Sequence, residues 1–490
     1  MIFNSVTYLL FLLIVTILYW SFNIRARLYL IFFASLSFYG FWRVEFVFLM
    51  LISAINDYWM SILITKTDSI TKKKVFLSIS LFVNLGLLFV FKYLFFFTDN
   101  LQSFIQLIGF DINIPLFDLI LPLGISFYTF QTISYTVDVY RGFIKPQRDF
   151  ITYGCYVMFF PQLVAGPILR ASNFLPQIRE KFSHLDAKNY LKQILIQRSN
   201  LKIGLTLMSF GFFKKMFFAD NIAPFVDEIF LNPIGLDSFA IILGTIGFGI
   251  QLYCDFSGYS DIAIGAALIL GFKVPQNFNF PFFATSPSEF WRRWHISLST
   301  WVRDYVFLPM VINHKKSKLR IFSSIFTTLF LIGIWHGAGW NFVIFGIIHG
   351  LYVGIETAIR SIFPSLRNNS FLKSRLGKII SILTTQYLIF LSFLAFRVHD
   401  LEHLSYSVQK LIFIDLEINE VSSFIIVHKL PLFLMMLFVI VHFISFRNPK
   451  MLDKISNLKL THWIIFLIII FTSIIFFYDV NPRDFIYFRF

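Results

Sequence analysis

Two histidines in aromatic surroundings are the side chains of this chain best suited to chemistry. His295 lies in the stretch EFWRRWHISLSTWVRDYVFLP (residues 289–309), and His336 lies in GIWHGAGWN (residues 333–341). An apolar segment, residues 321–335, leads directly to His336. An ionisable side chain at membrane depth is costly, so it is taken as functional by default. Because an imidazole can act as a general base toward a hydroxyl or a thiol near neutral pH, we predict that His336 is catalytic.

His295 is the second predicted catalytic residue. It can orient His336, bind a substrate carbonyl or stabilise developing negative charge. The small residues 337–339 permit a kink and a close approach of the backbone to a ligand. Two structural alternatives stay open: His336 can hydrogen-bond a kinked helix, and His295 can lie on an interfacial amphipathic helix.

Arginines and tryptophans surround both histidines. Such cations can hold the phosphates of a nucleotide-type acyl donor. They can equally be cytoplasmic charges that meet anionic lipid, and for most of the lysines in residues 314–320 we favour that interpretation. The residues predicted to bind the donor are Arg292, Arg293, Arg303, Trp291 and Trp335.

Carboxylates inside an apolar segment form the third candidate feature. The stretch QLYCDFSGYSDIAIG (residues 251–265) contains Asp255 and Asp261. At membrane depth such groups are expected to be paired, hydrated or exposed to a cavity. A transporter's proton relay uses similar residues, so this motif alone leaves an ion path open. The residues predicted to line a tunnel to His336 are Asp255, Tyr259, Ser260, Asp261 and Asn341.

Composition places the chain among polytopic membrane proteins. Of its 490 residues 57% are hydrophobic and 14% are charged, and the mean hydropathy is +0.72. Soluble domains carry ~25% charged residues. The net charge of +15 lies in short loops beside apolar segments, which argues against a nucleic-acid partner. Gly-x-Ser-x-Gly, Walker and HExxH patterns and a metal-type cysteine spacing do not occur in the sequence, which disfavours a serine hydrolase, an ATPase and a metal site.

Hydropathy predicts about a dozen membrane spans, since a helix needs ~20 apolar residues to cross the bilayer. They lie near residues 2–22, 28–41, 44–64, 75–97, 119–140, 203–218, 239–270, 321–335, 342–359, 379–396, 430–446 and 463–478. The connecting loops alternate between basic and acidic. Because basic loops stay cytoplasmic, both termini are predicted to face outward.

Two loops are too long to be simple connections. Residues 141–200 contain prolines and glycines within an apolar run, which predicts a re-entrant or interfacial element. Residues 273–320 are amphipathic. There Ser286, Pro287 and Glu289 predict a helix start, with Ser286 as its cap. The helix that follows is expected to lie at the inner membrane interface or to dip into the bundle.

The motifs EFWRRWHISLSTWVRDYVFLP and GIWHGAGWNFVIFGIIHGLY closely resemble the membrane-bound O-acyltransferase (MBOAT) family. The resemblance is to its bacterial polysaccharide branch, which includes alginate O-acetylation proteins. FFPQLVAGPI, QLYCDFSGYSDIAIG and the closing FIYFRF are similar to that branch too. His336 matches the family's catalytic histidine, and His295 matches the second histidine of its active site.

The resemblance implies an all-α bundle of about 11–12 transmembrane helices, with re-entrant pieces around a tunnel. It implies one domain over residues 1–490, with a catalytic core at 273–359. The expected enzyme lies in the bacterial inner membrane, holds no permanent cofactor and uses cytoplasmic acetyl-CoA as its donor. It would pass acetyl to a periplasmic or membrane-tethered SGNH-type partner, which acetylates an exported polysaccharide or peptidoglycan.

Three alternatives remain at this point. A relative within the family moves D-alanine from a carrier protein to teichoic acid and shares both histidine motifs. A transporter that relays protons or ions through Asp255, Asp261 and His336 is a second possibility. A non-catalytic membrane scaffold is the third.

Overall fold

The structure, a computed structural model, describes all residues except 1–2, 111, 118, 165, 184–186, 313–316, 417, 479–482 and 487–490. For residues 181–199, 367 and 418–420 it describes no side chains. Within these bounds the chain is helical and has no strand. The predicted all-α fold is confirmed. Part of the predicted basic run (314–316) and part of the closing FIYFRF motif (487–490) lie outside the described residues.

The chain forms two compact units. Unit 1 comprises Met1–Met208 and Ile262–Pro275, and unit 2 comprises Ser209–Asp261 and Gln276–Phe490. The helices of unit 1 are α1 (Val6–Ser21), α2 (Ile24–Gly40), α3 (Val44–Lys66), α4 (Ile70–Leu88), α5 (Leu94–Leu107), α6 (Ile125–Tyr140), α7 (Phe150–Val157), α8 (Ala171–Ser183) and most of α9 (Ala187–Phe212). The prediction of a single domain stays a prediction.

Unit 2 contains the remaining helices. They are α10 (Asp220–Leu231), most of α11 (Ser238–Ile269), α12 (Pro287–Arg293), α13 (Ile296–Val302), α14 (Leu308–Val311), α15 (Lys318–His336), α16 (Trp340–Ile362), α17 (Ser370–Lys373), α18 (Arg375–Arg397), α19 (Leu401–Ile412), α20 (Ile418–Val427), α21 (Lys429–Arg447), α22 (Met451–Ser456) and α23 (Leu460–Phe476). Three short π-helical segments, Phe89–Tyr93, Phe213–Ala219 and Arg303–Phe307, lie between helices.

Seven helical runs of the described chain are long and apolar enough to cross a membrane. They are α3, the run Ile70–Leu107, α11, α15, α16, α18 and α21. α1 and α23 are apolar but shorter. The predicted span at residues 119–140 falls on α6, which has 16 residues and is buried along nearly its whole length. α6 is therefore a core helix of unit 1.

The predicted re-entrant stretch is buried inside unit 1. Between α7 and α8, Phe159, Phe160, Gln162 and Leu163 are all 0% exposed. α6 begins against this segment at Gly124, where φ is +72° and an added Cβ would lie 2.6 Å from the Leu163 carbonyl oxygen. Irregular backbone at membrane depth survives where protein surrounds it, so this burial supports the prediction.

The hairpin of α15 and α16 is the element of unit 2 that carries His336. Residues 337–339 join the two helices, and His336 is the last residue of α15. α12 lies against α16, where the Ser288 backbone N–H donates to Glu356 Oε2 at 2.8 Å. The fold thus brings the two predicted histidine motifs, far apart in sequence, into one unit.

Candidate active site

The helix that leads to His295 starts where the sequence predicts. The Ser286 hydroxyl accepts the Glu289 backbone N–H at 3.3 Å, and Pro287 occupies the first turn. Glu289 then pairs with Arg293 at 2.7 Å and accepts hydrogen bonds from Thr285. Burial alone would raise the pKa of Glu289, but the hydrogen bonds from Thr285 and Arg293 outweigh it and hold that pKa below its ordinary value. The carboxylate is therefore ionised and fixes the start of α12.

His295 lies at a break between two short helices. α12 ends at Arg293, and His295 adopts a left-handed conformation with φ +43°. Asn277 supplies the contacts that make the break favourable: its carbonyl accepts Ile296 N–H at 2.9 Å, and its Oδ1 accepts the Ser297 hydroxyl at 2.6 Å. Asn277 thus caps the helix that follows and turns His295 inward, where it is 0% exposed.

His336 lies in a shell of aromatic rings at the end of α15. It is 2% exposed. Its ring centroid lies 5.0 Å from that of Phe396, 5.7 Å from that of Phe345 and 5.1 Å from that of Trp335. Residues 337–339 end the helix directly after it, as predicted.

Trp335 joins the two histidines. Its ring centroid lies 5.9 Å from that of His295 and 5.1 Å from that of His336. Phe256 of α11 covers His295 from another side, with 4.7 Å between ring centroids. Trp335, predicted to bind the donor, is itself buried and packs against both imidazole rings.

A cavity of about 570 Å³ opens beside this pair. Two predicted donor-binding arginines line it, Arg292 and Arg303, and so does Trp291. The wall formed by α15 consists of Ile325, Thr328, Leu329 and Ile332. These positions repeat at helical spacing, and His336 follows Ile332 by one turn on the same stripe. The cavity wall on α15 therefore ends one turn before His336, and neither histidine is among the residues that line the cavity.

Arg293, the third predicted donor-binding arginine, is engaged elsewhere. Its guanidinium pairs with Glu289 at 2.7 Å and donates to the Asn279 carbonyl at 3.1 Å. Arg292 and Arg303 are thus the arginines that the cavity brings together, and Arg293 holds α12.

The predicted tunnel-lining residues take up several different contacts. Asp255 pairs with Lys215 at 2.8 Å, and Asp261 pairs with Lys214 at 2.6 Å. The Ser260 hydroxyl accepts a hydrogen bond from Asn277 Nδ2 at 3.2 Å, and Asn341 Nδ2 donates to the Ala395 carbonyl at 3.0 Å. The ring centroid of Tyr259 lies 4.4 Å from that of Phe485. Both carboxylates are paired, as expected for charges at this depth.

Sequence reasoning missed the partners of these carboxylates. Lys214 and Lys215 lie in the π-helical segment, and Lys215 also binds Asp220 at 2.7 Å. The signal was available, because two lysines interrupt the apolar run FGFFKKMFFAD. His349 of α16 was missed as well: it is 0% exposed and hydrogen-bonds Trp291 at 3.2 Å.

No group of three histidine, cysteine or carboxylate side chains able to hold a metal occurs in the described chain. One spacing in the sequence is of a metal-binding type, His399-x-x-Glu402-His403. His399 precedes α19, however, and its Nδ1 faces the Asn341 amide at 3.2 Å. The charged groups at the cavity are guanidinium ions, which bind anions.

These features define a multi-pass helical membrane protein with two buried histidines beside an arginine-lined cavity. Residues 145–393 match the model of MBOAT, the membrane-bound O-acyltransferase family. The chain belongs to this family, and it is an acyltransferase. The matched region contains both histidines and the cavity arginines.

Similarity to individual proteins extends beyond the family model. The chain is 38% identical over 364 residues to the probable alginate O-acetylase AlgI of Azotobacter vinelandii. This alignment covers 74% of this chain and 69% of that protein. It is 34% identical over 393 residues to the peptidoglycan O-acetyltransferase of Helicobacter pylori, in an alignment that covers 75% of this chain and 70% of that protein. It is also 30% identical over 247 residues to the teichoic acid D-alanyltransferase of Bacillus subtilis, in an alignment that covers 48% of this chain and 59% of that protein.

Proposed function

We propose that this protein is a membrane O-acetyltransferase that takes acetyl from cytoplasmic acetyl-CoA and passes it outward to a cell-envelope or exported polysaccharide. The observation that carries the proposal is that Trp335 packs against both His295 and His336, and that a cavity lined by two arginines includes Ile296, next to His295, and Ile332, one turn before His336. The similarity to O-acetylases of alginate and peptidoglycan supports the choice of acetyl and of a glycan acceptor.

The cavity fits a donor that has an anionic end and an uncharged arm. Arg292 and Arg303 supply positive charge for the phosphates of coenzyme A, and the apolar stripe of α15 supplies a wall for the thioester arm. Residues 273–320 form a strongly basic loop, and basic loops stay on the cytoplasmic side. Acetyl-CoA would thus enter from the cell interior, and both termini would face outward.

His336, one turn beyond the cavity wall on α15, would act as the general base. It removes the proton of an acceptor hydroxyl while that oxygen attacks the thioester carbonyl carbon, so that a C–O bond forms and the C–S bond breaks. The thiolate of coenzyme A leaves and takes up the proton that His336 removed, which regenerates the base. His295 stabilises the negative charge that develops on the carbonyl oxygen, in a site that aromatic rings shield from water. No permanent cofactor enters this reaction.

The acceptor hydroxyl would belong to a periplasmic or membrane-tethered partner of the SGNH type, or to the glycan itself, at the outer side of the bacterial inner membrane. Transfer of D-alanine is the alternative acyl reaction. The similarity to the acetylases extends over about three quarters of the chain, against about half for the D-alanyltransferases, and therefore favours acetyl.

The test uses sealed inside-out membrane vesicles that contain the protein together with the envelope proteins of its host. Acetyl-CoA labelled in the acetyl group is supplied at the cytoplasmic face, and label is sought on macromolecules in the lumen. We expect transfer by the wild type and none by His336→Ala, with both proteins present in equal amounts.

His462→Ala serves as the matched control, because His462 is an exposed histidine on α23. Transfer by His336→Ala at the wild-type rate would refute the role of His336. Transfer of D-alanine from a charged carrier protein, with none from acetyl-CoA, would replace the proposed donor.

A further inference from the structure

A buried hydrogen-bond chain connects the wall of the cavity to the core of unit 2. Trp291 Nε1 donates to His349 Nδ1 at 3.2 Å, and His349 Nε2 lies 2.9 Å from the Ser392 hydroxyl. That hydroxyl in turn donates to the Ile389 carbonyl at 2.6 Å. His349 and Ser392 are both 0% exposed.

The partners fix the tautomer of His349. An indole N–H is a donor only, so Nδ1 must be the acceptor and carries no proton. The Ser392 proton points to Ile389, so the hydroxyl oxygen accepts the Nε2 proton. Both ring nitrogens are engaged, and the neutral ring cannot take up a proton without losing Trp291. His349 is therefore unsuited to be a base and well suited to hold another side chain.

Trp291 is the side chain that it holds. Trp291 lines the cavity next to Arg292, on a helix of seven residues that is too short to be rigid alone. α16 fastens this helix at two places: Glu356 accepts the Ser288 N–H at 2.8 Å, and His349, two turns earlier on α16, accepts the Trp291 indole.

We propose that His349 is a positioning residue for acyl-donor binding, which holds the indole of Trp291 as a fixed wall of the cavity through its Nδ1 atom. The inference rests on the proposed function, in that the cavity is taken as the donor site. It predicts that the two ring nitrogens of His349 matter unequally: the Nδ1 contact sets donor affinity, and the Nε2 contact sets only the packing of α16 on α18.

Two substitutions separate these contacts. In His349→Asn the side-chain oxygen takes the place of Nδ1 and still accepts from Trp291, while the bond to Ser392 is lost. In His349→Gln the longer amide reaches Ser392, while the acceptor for Trp291 is lost. Trp291→Phe removes the indole N–H and keeps an aromatic ring. The same Asn and Gln changes at exposed His462 control for helix propensity.

The measurement is the affinity of the purified full-length protein for a non-hydrolysable thioether analogue of acetyl-CoA, together with KM and kcat for acetyl-CoA in the vesicle assay. We expect His349→Gln and Trp291→Phe each to weaken binding roughly five- to tenfold, which is the effect of losing one hydrogen bond. Each should raise KM with little change in kcat. His349→Asn should restore most of that affinity. The double variant Trp291→Phe/His349→Gln should bind no more weakly than either single variant.

Equal effects of His349→Asn and His349→Gln on affinity, or losses confined to kcat, would overturn the inference. Additive losses in the double variant would overturn it too. Failure of the wild type to bind the analogue would instead refute the proposed donor, so the two failures are distinct.

Discussion

Gly333 of α15 and Gly346 of α16 are in direct backbone contact: a Cβ on Gly333 would lie 2.4 Å from the Gly346 Cα. His336 lies one turn after Gly333 on the same helix. The register of the α15–α16 hairpin therefore depends on glycine at both positions, because a side chain at either would force the helices apart. The position of the His336 imidazole depends on the same contact.

We expect Gly333→Ala to separate the two helices and displace His336. Overpacking of this kind costs about 1–3 kcal/mol, which the protein can survive. A displacement near 1 Å can reduce catalysis about a hundredfold. Acyl transfer in vesicles, normalised to the amount of folded protein, is the measurement.

The matched control is Gly86→Ala on α4, where an added Cβ meets no atom within 4 Å. It should leave transfer unchanged. If Gly333→Ala retains full transfer per folded molecule, the contact does not position His336.

His295 combines an imidazole with a backbone conformation that few residues adopt, and substitutions can separate the two. With φ at +43°, alanine is disfavoured by ~1 kcal/mol or more, whereas asparagine tolerates this region. We expect both His295→Ala and His295→Asn to lose most of the transfer activity. Only His295→Ala should also lower the amount and thermal stability of the protein. Full activity of His295→Asn would assign His295 to the backbone turn alone.

Local signals in the sequence predict α15, α16 and the α12 start correctly, whereas the spans predicted at 28–41, 119–140 and 203–218 are not among the membrane-length helices of the described chain. Hydropathy places α15 and α16 on either side of His336, and Ser286 with Pro287 and Glu289 marks the helix start. Each of these features depends on residues only a few positions apart, which sequence patterns capture.

Contacts between distant segments explain what the sequence did not predict. The break at His295 depends on Asn277, which lies 18 positions earlier and caps α13 from outside the helix. The pairing of Asp255 and Asp261 depends on lysines about 40 to 47 positions earlier on another segment. A polar residue in an apolar run shows that a partner exists, and the fold decides which one it is.

Lys215 is the centre of the most deeply buried ion cluster among the described residues. It lies 2.7 Å from Asp220 and 2.8 Å from Asp255, with 2–8% exposure of the three side chains. We expect Lys215→Met to destabilise the protein by about 3–5 kcal/mol, because two buried carboxylates lose their cation. Thermal unfolding in detergent and the amount of protein in membranes measure the effect.

Lys214→Met is the matched comparison. The pair of Lys214 with Asp261 is more exposed, at 27% and 19%, so its loss should cost clearly less. Neutralising the carboxylates as well, in Lys215→Met/Asp220→Asn/Asp255→Asn, should recover much of the stability. Equal losses for the two lysine variants would contradict the ranking by burial.

Glu289 predicts a pH dependence of stability. The pKa of Glu289 in the folded protein lies below its ordinary value of about 4.5. The stabilisation that ionised Glu289 gives the fold is therefore present above that pH and is lost as the pH falls below it. Wild-type protein and Glu289→Gln should therefore differ in unfolding temperature at pH 7, and the difference should shrink as the pH falls through the folded-state pKa of Glu289. Glu45→Gln is the control, because the pair of Glu45 with Arg43 is exposed and should contribute little at either pH. A constant difference across this range would show that ionisation of Glu289 is irrelevant.

For the three predicted donor-binding arginines we expect two different phenotypes. Arg292 and Arg303 line the cavity, so Arg292→Gln and Arg303→Gln should each raise the KM for acetyl-CoA by about tenfold, with kcat and stability nearly unchanged. Arg293 is engaged by Glu289, so Arg293→Gln should lower the unfolding temperature with a smaller effect on KM. Raising ionic strength should weaken donor binding by the wild type more than by either cavity variant, because screening acts on the charges that remain. A KM effect confined to Arg293→Gln would place the donor phosphates outside the cavity, at the other face of α12.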